Sequence, residues 1–183
     1  MADSKSQHDS WFNKTFLALS VGFWIGFWLL MYVAANRSYL YGITPEGQSL
    51  ANDTLNQRTQ KWQTWTASSV FVDNLKMSFF LAIPLVGLVV FLFVIDSTGQ
   101  VIGMLAAATG MAPWLYIIGL ILTPAGFFEI GAYALLGAEA TYVLYLWLSD
   151  KDPVDRIKTQ SWKSLLLYVT MLFATAWLEV SSV

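Results

Sequence analysis

The chain has 183 residues, 56% of them hydrophobic and only 12% charged. An ordinary soluble domain carries about 25% charged residues, so this balance, with nine Trp and twelve Phe, points to an integral membrane protein. Without cysteine there is no disulfide, thiolate nucleophile, iron–sulfur cluster or thiolate zinc site. The single histidine, His8, leaves no basis for haem ligation, a His–metal site or a Ser-His-Asp triad inside the membrane. A net charge of −2 without a basic run argues against nucleic acid as a partner.

Residues 1–14 read as a polar, solvated tail. They are too acidic (Asp3, Asp9) for the start of a signal peptide. Thr15–Ala35 is uncharged and long enough to cross one hydrocarbon core as a helix. Within it Gly22 and Gly26 form a GxxxG pair, which permits close helix approach.

Residues 36–69 form the one sizeable polar loop. In it, Thr44-Pro45-Glu46 reads as a helix start, with Thr as cap, Pro at the first helical position and Glu complementing the helix dipole. The spacing predicts an amphipathic helix over about 45–67. Leu50, Leu55, Trp62 and Trp65 would follow one side, so that it lies on the membrane surface or caps the bundle.

Val70–Ile95 is a second span, kinked at Pro84. Asp73, Asn74 and Lys76 sit near its start, where Lys76 would snorkel to the interface. Asp96–Gln100 reads as a turn, with Gly99 and Gly103 as permissive backbone. Val101–Thr123 is apolar but interrupted by Gly103, Gly110 and Pro113, so it is either one kinked span or two half-helices of a re-entrant hairpin. Ala125–Leu148 is a clear span, Ser149–Lys163 a charged connector and Ser164–Val180 a final short span.

Charge asymmetry leaves the two layouts open. Five full spans place six basic residues on the N-terminal side against three on the other, while a re-entrant 101–123 gives seven against two in the opposite orientation. Because 101–123 is long enough to cross, five spans are preferred. The expectation is an all-α, polytopic membrane helix bundle of about five transmembrane helices, forming a single membrane domain over 1–183, with broken helices around 101–126.

Glu129 and Glu139 interrupt the apolar region 123–148. Ten residues apart on one helix, they do not form a facing carboxylate pair. A charge at mid-membrane costs about 2.5–3.5 kcal/mol on insertion scales. Glu129 must then be protonated, paired or near water. Its candidate partners are Lys76, Asn74, Tyr133 and the backbone amides around Gly126. A structural tie is the first reading of Glu129 and a ligand or proton site the second. Catalysis comes last, because a lone acid without His, Cys or metal ligands makes a poor catalytic site. Glu139 reads as a polar packing or interface residue. Gly131 and Gly137, among many small residues, let other helices approach. No nucleotide-binding, zinc-protease or nucleophile-elbow motif is present. No catalytic residue, metal or cofactor is expected, and the protein is expected not to be an enzyme.

Taken in order, Phe71-Val72-Asp73-Asn74-Leu75, Gly87, Gly99-Gln100-Val101-Ile102-Gly103 and Pro124-Ala125-Gly126-Phe127-Phe128-Glu129 resemble the stage II sporulation protein M family. Members typically show an Asn-Asn pair opening a span, an Asn-Gly turn leading to a second Gly, and a Pro-His-Gly-x-x-Glu motif. Asn74, Gly99, Gly103, Pro124, Gly126 and Glu129 fall on those positions. Asp73 replaces the first Asn and Ala125 replaces the His, which weakens a proton-transfer role for the motif. The resemblance covers about 70–145, within a core of 70–148. It implies a non-enzymatic, multi-pass protein of the cell membrane, a scaffold or partner in membrane or cell-envelope remodelling. Its partners would be the bilayer and proteins of the membrane or envelope; a second copy of the chain is called for if so small a chain, without an internal repeat, forms a transport path. Family founders are associated with engulfment during sporulation, alongside cell-wall-degrading proteins. The alternative is a permease-like transport subunit working with a separate ATPase.

Overall fold

The computed structural model describes residues 13–181, which are helical nearly throughout and contain no strand. Residues 1–12, most of the expected polar tail, lie outside the described residues.

Helix α1 (Lys14–Gly42) is capped by Asn13, whose side-chain oxygen accepts from the Phe16 amide at 2.9 Å. It runs seven residues past the expected end at Ala35, through the polar Asn36-Arg37-Ser38. Each polar side chain there has a partner or a packed site that keeps the helix intact. Asn36 folds back on the Tyr32 carbonyl at 2.8 Å, Arg37 reaches Asp96 at 2.7 Å, and Ser38 is buried.

Helix α2 (Pro45–Thr64) starts as expected, with the Thr44 hydroxyl accepting from the Gly47 amide at 3.1 Å. It packs on α1 and on α4 (Val86–Thr109), with Ala51 fully buried. It ends three residues early, at an extended Trp65. A capping box between Thr66 and Ser69 then opens α3 (Ala67–Leu81).

The span expected over 70–95 is two helices rather than one kinked helix. Pro84 offers no amide to the Phe80 carbonyl, which accepts from the Ile83 amide at 3.2 Å instead. Leu85 takes φ +67°, and Gly87 fits where a β-carbon would lie 2.2 Å from the Leu81 carbonyl oxygen. The chain reverses there and enters α4.

Asp96–Gln100, expected as a turn, lies inside α4. Asp96 accepts from both Arg37 and Gln100, so its charge does not end the helix. The two nearby glycines serve packing instead of turning. A β-carbon would stand 2.5 Å from the Ala34 β-carbon at Gly99, and 2.3 Å from the Ala35 carbonyl oxygen at Gly103. Contacts of Met31 with Gly99, Ala35 with Gly103 and Gly42 with Ala107 advance together along both helices. Helices α1 and α4 therefore cross in parallel and unusually close.

The region 101–126 is broken, as expected, but it divides differently from either expected layout. Residues 101–109 belong to α4, which ends in a Schellman-type cap. Gly110 takes φ +70° and the Met111 amide reaches back to Ala106 at 3.0 Å. Helix α5 (Pro113–Leu122), about 15 Å long, is too short to cross a membrane. Thr123 closes it and caps α6 (Pro124–Leu148). Three helices among the described residues are long and apolar enough to cross: α1, α4 and α6.

The connector holds a short helix α7 (Pro153–Arg156) and a π-helical turn, Ile157–Ser161, leading into α8 (Trp162–Ser181). Helix α6 lies antiparallel to α1, as Phe16 with Tyr142 and Phe23 with Gly137 show. It is also antiparallel to α8, where Thr175 meets Ala125 and Ser164 meets Glu139. Helix α3 pairs with α8 through Phe71–Phe173 and Ser78–Tyr168. The core fills the space between these helices with Phe27, Met31, Phe91, Ile130, Tyr133, Tyr168 and Leu172.

Candidate functional site

Two polar clusters occupy different levels of α6. The first surrounds Glu129, in the second turn after the Pro124 start. The Thr123 hydroxyl accepts from the Gly126 amide at 3.2 Å, which takes that amide away from Glu129. Gly126 is required by packing, since a β-carbon there would lie 2.4 Å from the Leu120 carbonyl oxygen. Pro124, Gly126 and Thr123 thus build the α5–α6 junction, and Glu129 projects from the turn that follows.

Glu129 accepts from the Tyr133 hydroxyl at 3.2 Å, one helical turn on. It also lines a cavity of 450 Å³ where α2, α3, α4, α5, α6 and α8 converge. Arg58 and Lys61 reach this cavity from α2, Asp73 and Asn74 from α3, Ser97 and Thr98 from α4, and Glu179 from α8. Trp62 and Trp65 border it beside the cations, and Lys61 Nζ stands 5.5 Å from the Trp65 ring centre. The structure therefore brings Asn74 and Glu129 to one cavity. It does not bring Lys76 to Glu129, because Lys76 pairs with Asp73 at 3.3 Å on the exposed side of α3. Below the cavity a polar thread enters the bundle, with Ser78 contacting the Asn74 carbonyl at 2.7 Å and the Tyr168 hydroxyl.

Arg58, Lys61 and Glu179 are the charged residues of the cavity that sequence reading missed. A signal existed for each. Arg58, Lys61, Trp62 and Trp65 fall at i, i+3, i+4 and i+7, one side of a helix. Glu179 is an acid in an otherwise apolar stretch, the criterion that singled out Glu129.

The second cluster is the environment of Glu139. Both its oxygens are gripped by Arg156, Nε to Oε1 at 2.9 Å and Nη2 to Oε2 at 2.7 Å. Ser161 and Ser164 each add a hydrogen bond at 2.7 Å. Glu139 and Arg156 are each only 5% exposed. The guanidinium stacks near the rings of Phe16, at 5.1 Å, and Tyr142, at 5.0 Å. Such a pair tolerates burial because the carboxylate acceptors are met by a planar fork and two hydroxyls. The π-helical turn adds a residue to the connector's helical turn between Arg156 and Ser161, both of which face one carboxylate. Nothing in the connector's composition distinguished Arg156 from its charged neighbours.

Of the other glycines, a β-carbon at Gly131 would lie 2.9 Å from the Met171 methyl and one at Gly137 would lie 3.1 Å from the Phe23 ring. At Gly22 and Gly26 a β-carbon would meet no other helix within 4 Å. They line an open apolar groove of 620 Å³ with Phe23, Leu88, Phe91 and Leu92. Among the described residues no group of three or more His, Cys, Asp or Glu side chains could hold a metal ion.

No curated protein and no solved structure matches the chain significantly. A family model described as stage II sporulation protein M matches residues 15–181. That match takes in α1 through α8, with the Glu129 cavity and the Glu139–Arg156 pair, and the chain belongs to the stage II sporulation protein M family.

Proposed function

We propose that this protein is a non-enzymatic, multi-pass protein of the cell membrane that acts as a scaffold or binding partner in membrane or cell-envelope remodelling. The observation that carries the reading is the contrast among its glycines. Gly99, Gly103, Gly131 and Gly137 are each closed over by a neighbouring helix of the same chain, whereas Gly22 and Gly26 face open space. Their groove is lined almost wholly by hydrocarbon, so its fitting occupant is an apolar helix of a partner membrane protein. The N-terminus and the charged connector, which carry the larger share of basic residues, are assigned to the cytoplasmic side. A photo-crosslinker at Ala18, in native membranes, tests this. Capture of one protein partner, reduced by Gly22→Leu, is the expected result. Crosslinks to lipid alone would contradict it.

The cavity at Glu129 favours a second reading, a permease-like subunit working with a separate ATPase, because polar cavities with membrane carboxylates suit transport. Solute flux into vesicles that disappears in a folded Glu129→Gln variant would establish that reading in place of the first.

A further inference from the structure

Arg58 is half-buried and Glu129 likewise, and both line the same cavity. Among the described residues neither is engaged in an ion pair, although Arg37–Asp96, Lys76–Asp73 and Arg156–Glu139 are all formed. The cavity holds cations at the α2 wall and carboxylates on α3, α6 and α8, that on α3, Asp73, being paired with Lys76. At 450 Å³ it falls within the range of about 300–1,000 Å³ typical of small-molecule sites. A ligand matching it carries an anionic end and an ammonium end.

Three further features choose the source of that zwitterion. Trp62 and Trp65 border the cavity, and indoles favour the boundary between headgroups and hydrocarbon. Between the polar groups of α3 and the start of α4, part of the wall is apolar, with Val70 from α3, Val101, Ile102 and Leu105 from α4 and Leu120 from α5. A molecule that is zwitterionic at one end and apolar at the other satisfies both halves. The carboxylates also accept hydrogen bonds, which a primary ammonium can donate and a quaternary one cannot.

We propose that this cavity binds the headgroup of an ethanolamine phospholipid, with its phosphate against Arg58 and Lys61 and its ammonium against Glu129. The assignment goes beyond the scaffold reading and stands or falls separately from it. Arg58 supplies a bidentate fork for the phosphate.

The test uses the full chain in detergent, titrated with dioleoyl phosphatidylethanolamine or dioleoyl phosphatidylglycerol and read by native mass spectrometry. Retention of one phosphatidylethanolamine about tenfold more tightly than phosphatidylglycerol is expected, equivalent to about 1.4 kcal/mol. Arg58→Gln should lower phosphatidylethanolamine retention about tenfold, and Glu129→Gln should remove the preference between the two lipids. If either variant fails to fold, the preference of the unaltered chain decides the question. Equal retention of both lipids by the unaltered chain would overturn the proposal. So would displacement of the lipid by an equal concentration of soluble glycerophosphoethanolamine, which would make the occupant a water-soluble zwitterion.

Discussion

Arg156 and Glu139 show how a charge survives inside this bundle. Removing one partner of a buried pair leaves the other uncompensated, which typically costs about 3–5 kcal/mol. Arg156→Met is therefore expected to lower resistance to denaturant-induced unfolding by about that amount. Replacing both members, Arg156→Met with Glu139→Leu, should recover most of it. Arg156→Lys should recover little, because an ammonium cannot make the two-pronged contact seen at 2.9 and 2.7 Å. The glycines divide in the same way. Gly103→Leu would drive a side chain into the α1 backbone and should cost at least about 1–3 kcal/mol by overpacking. Gly22→Ala, in open space inside α1, should not destabilise the isolated chain and should raise its stability by about 0.5–1 kcal/mol, the helix-propensity difference. Thermal unfolding of the two variants side by side checks both values. At this scale sequence reading identified Glu129 and Glu139 as residues needing an explanation, because acids in apolar runs stand out. It could not pair Glu139 with Arg156, since that contact depends on the path of a connector whose charges look alike.

At the scale of elements, caps were the most legible feature. Thr44-Pro45-Glu46 starts α2 where expected, because a side-chain cap acts within three or four residues. Two of the misread boundaries involve partners distant in sequence. Asn36-Arg37-Ser38 and Asp96–Gln100 carry the composition of helix ends. Both stay helical within the α1–α4 crossing, where Gly99 and Gly103 close on α1 between Met31 and Tyr39, and the exposed Arg37–Asp96 pair, 59 residues apart, adds at most about 1 kcal/mol. Glycines 99 and 103 looked like turn residues and are a helix-crossing surface. Pro84 was recognised as a perturbation, but its reversal also needed Leu85 at positive φ and a glycine at 87. That conformation is strained for leucine. Leu85→Gly is expected to relieve it and raise stability by about 1 kcal/mol, measured as a shift in the denaturation midpoint.

For the whole molecule, composition alone established the class. Few charges and many aromatics led to a membrane helix bundle, and three helices among the described residues meet the length and apolarity of a crossing. The cavity was not legible, because its walls come from six helices spread over residues 58–179. What sequence reading supplied was Glu129 and Asn74, two of its polar residues. The helix directions place α2 and the charged connector at opposite ends of the bundle. The natural chain lacks cysteine, so single cysteines can report on sidedness. Gln57→Cys and Lys158→Cys, both at exposed positions, should be labelled by a membrane-impermeant maleimide from opposite sides of the membrane.

The same cysteine-free background allows the most direct test of the central claim, that Glu129 faces a polar cavity opening beside α2 and is not sealed within the bundle. Glu129→Cys, in native membranes, should react with a small membrane-impermeant thiol reagent applied from the side that labels Gln57→Cys, and from that side alone. Failure to react from that side in a folded protein, or reaction from the side that labels Lys158→Cys, would contradict the account.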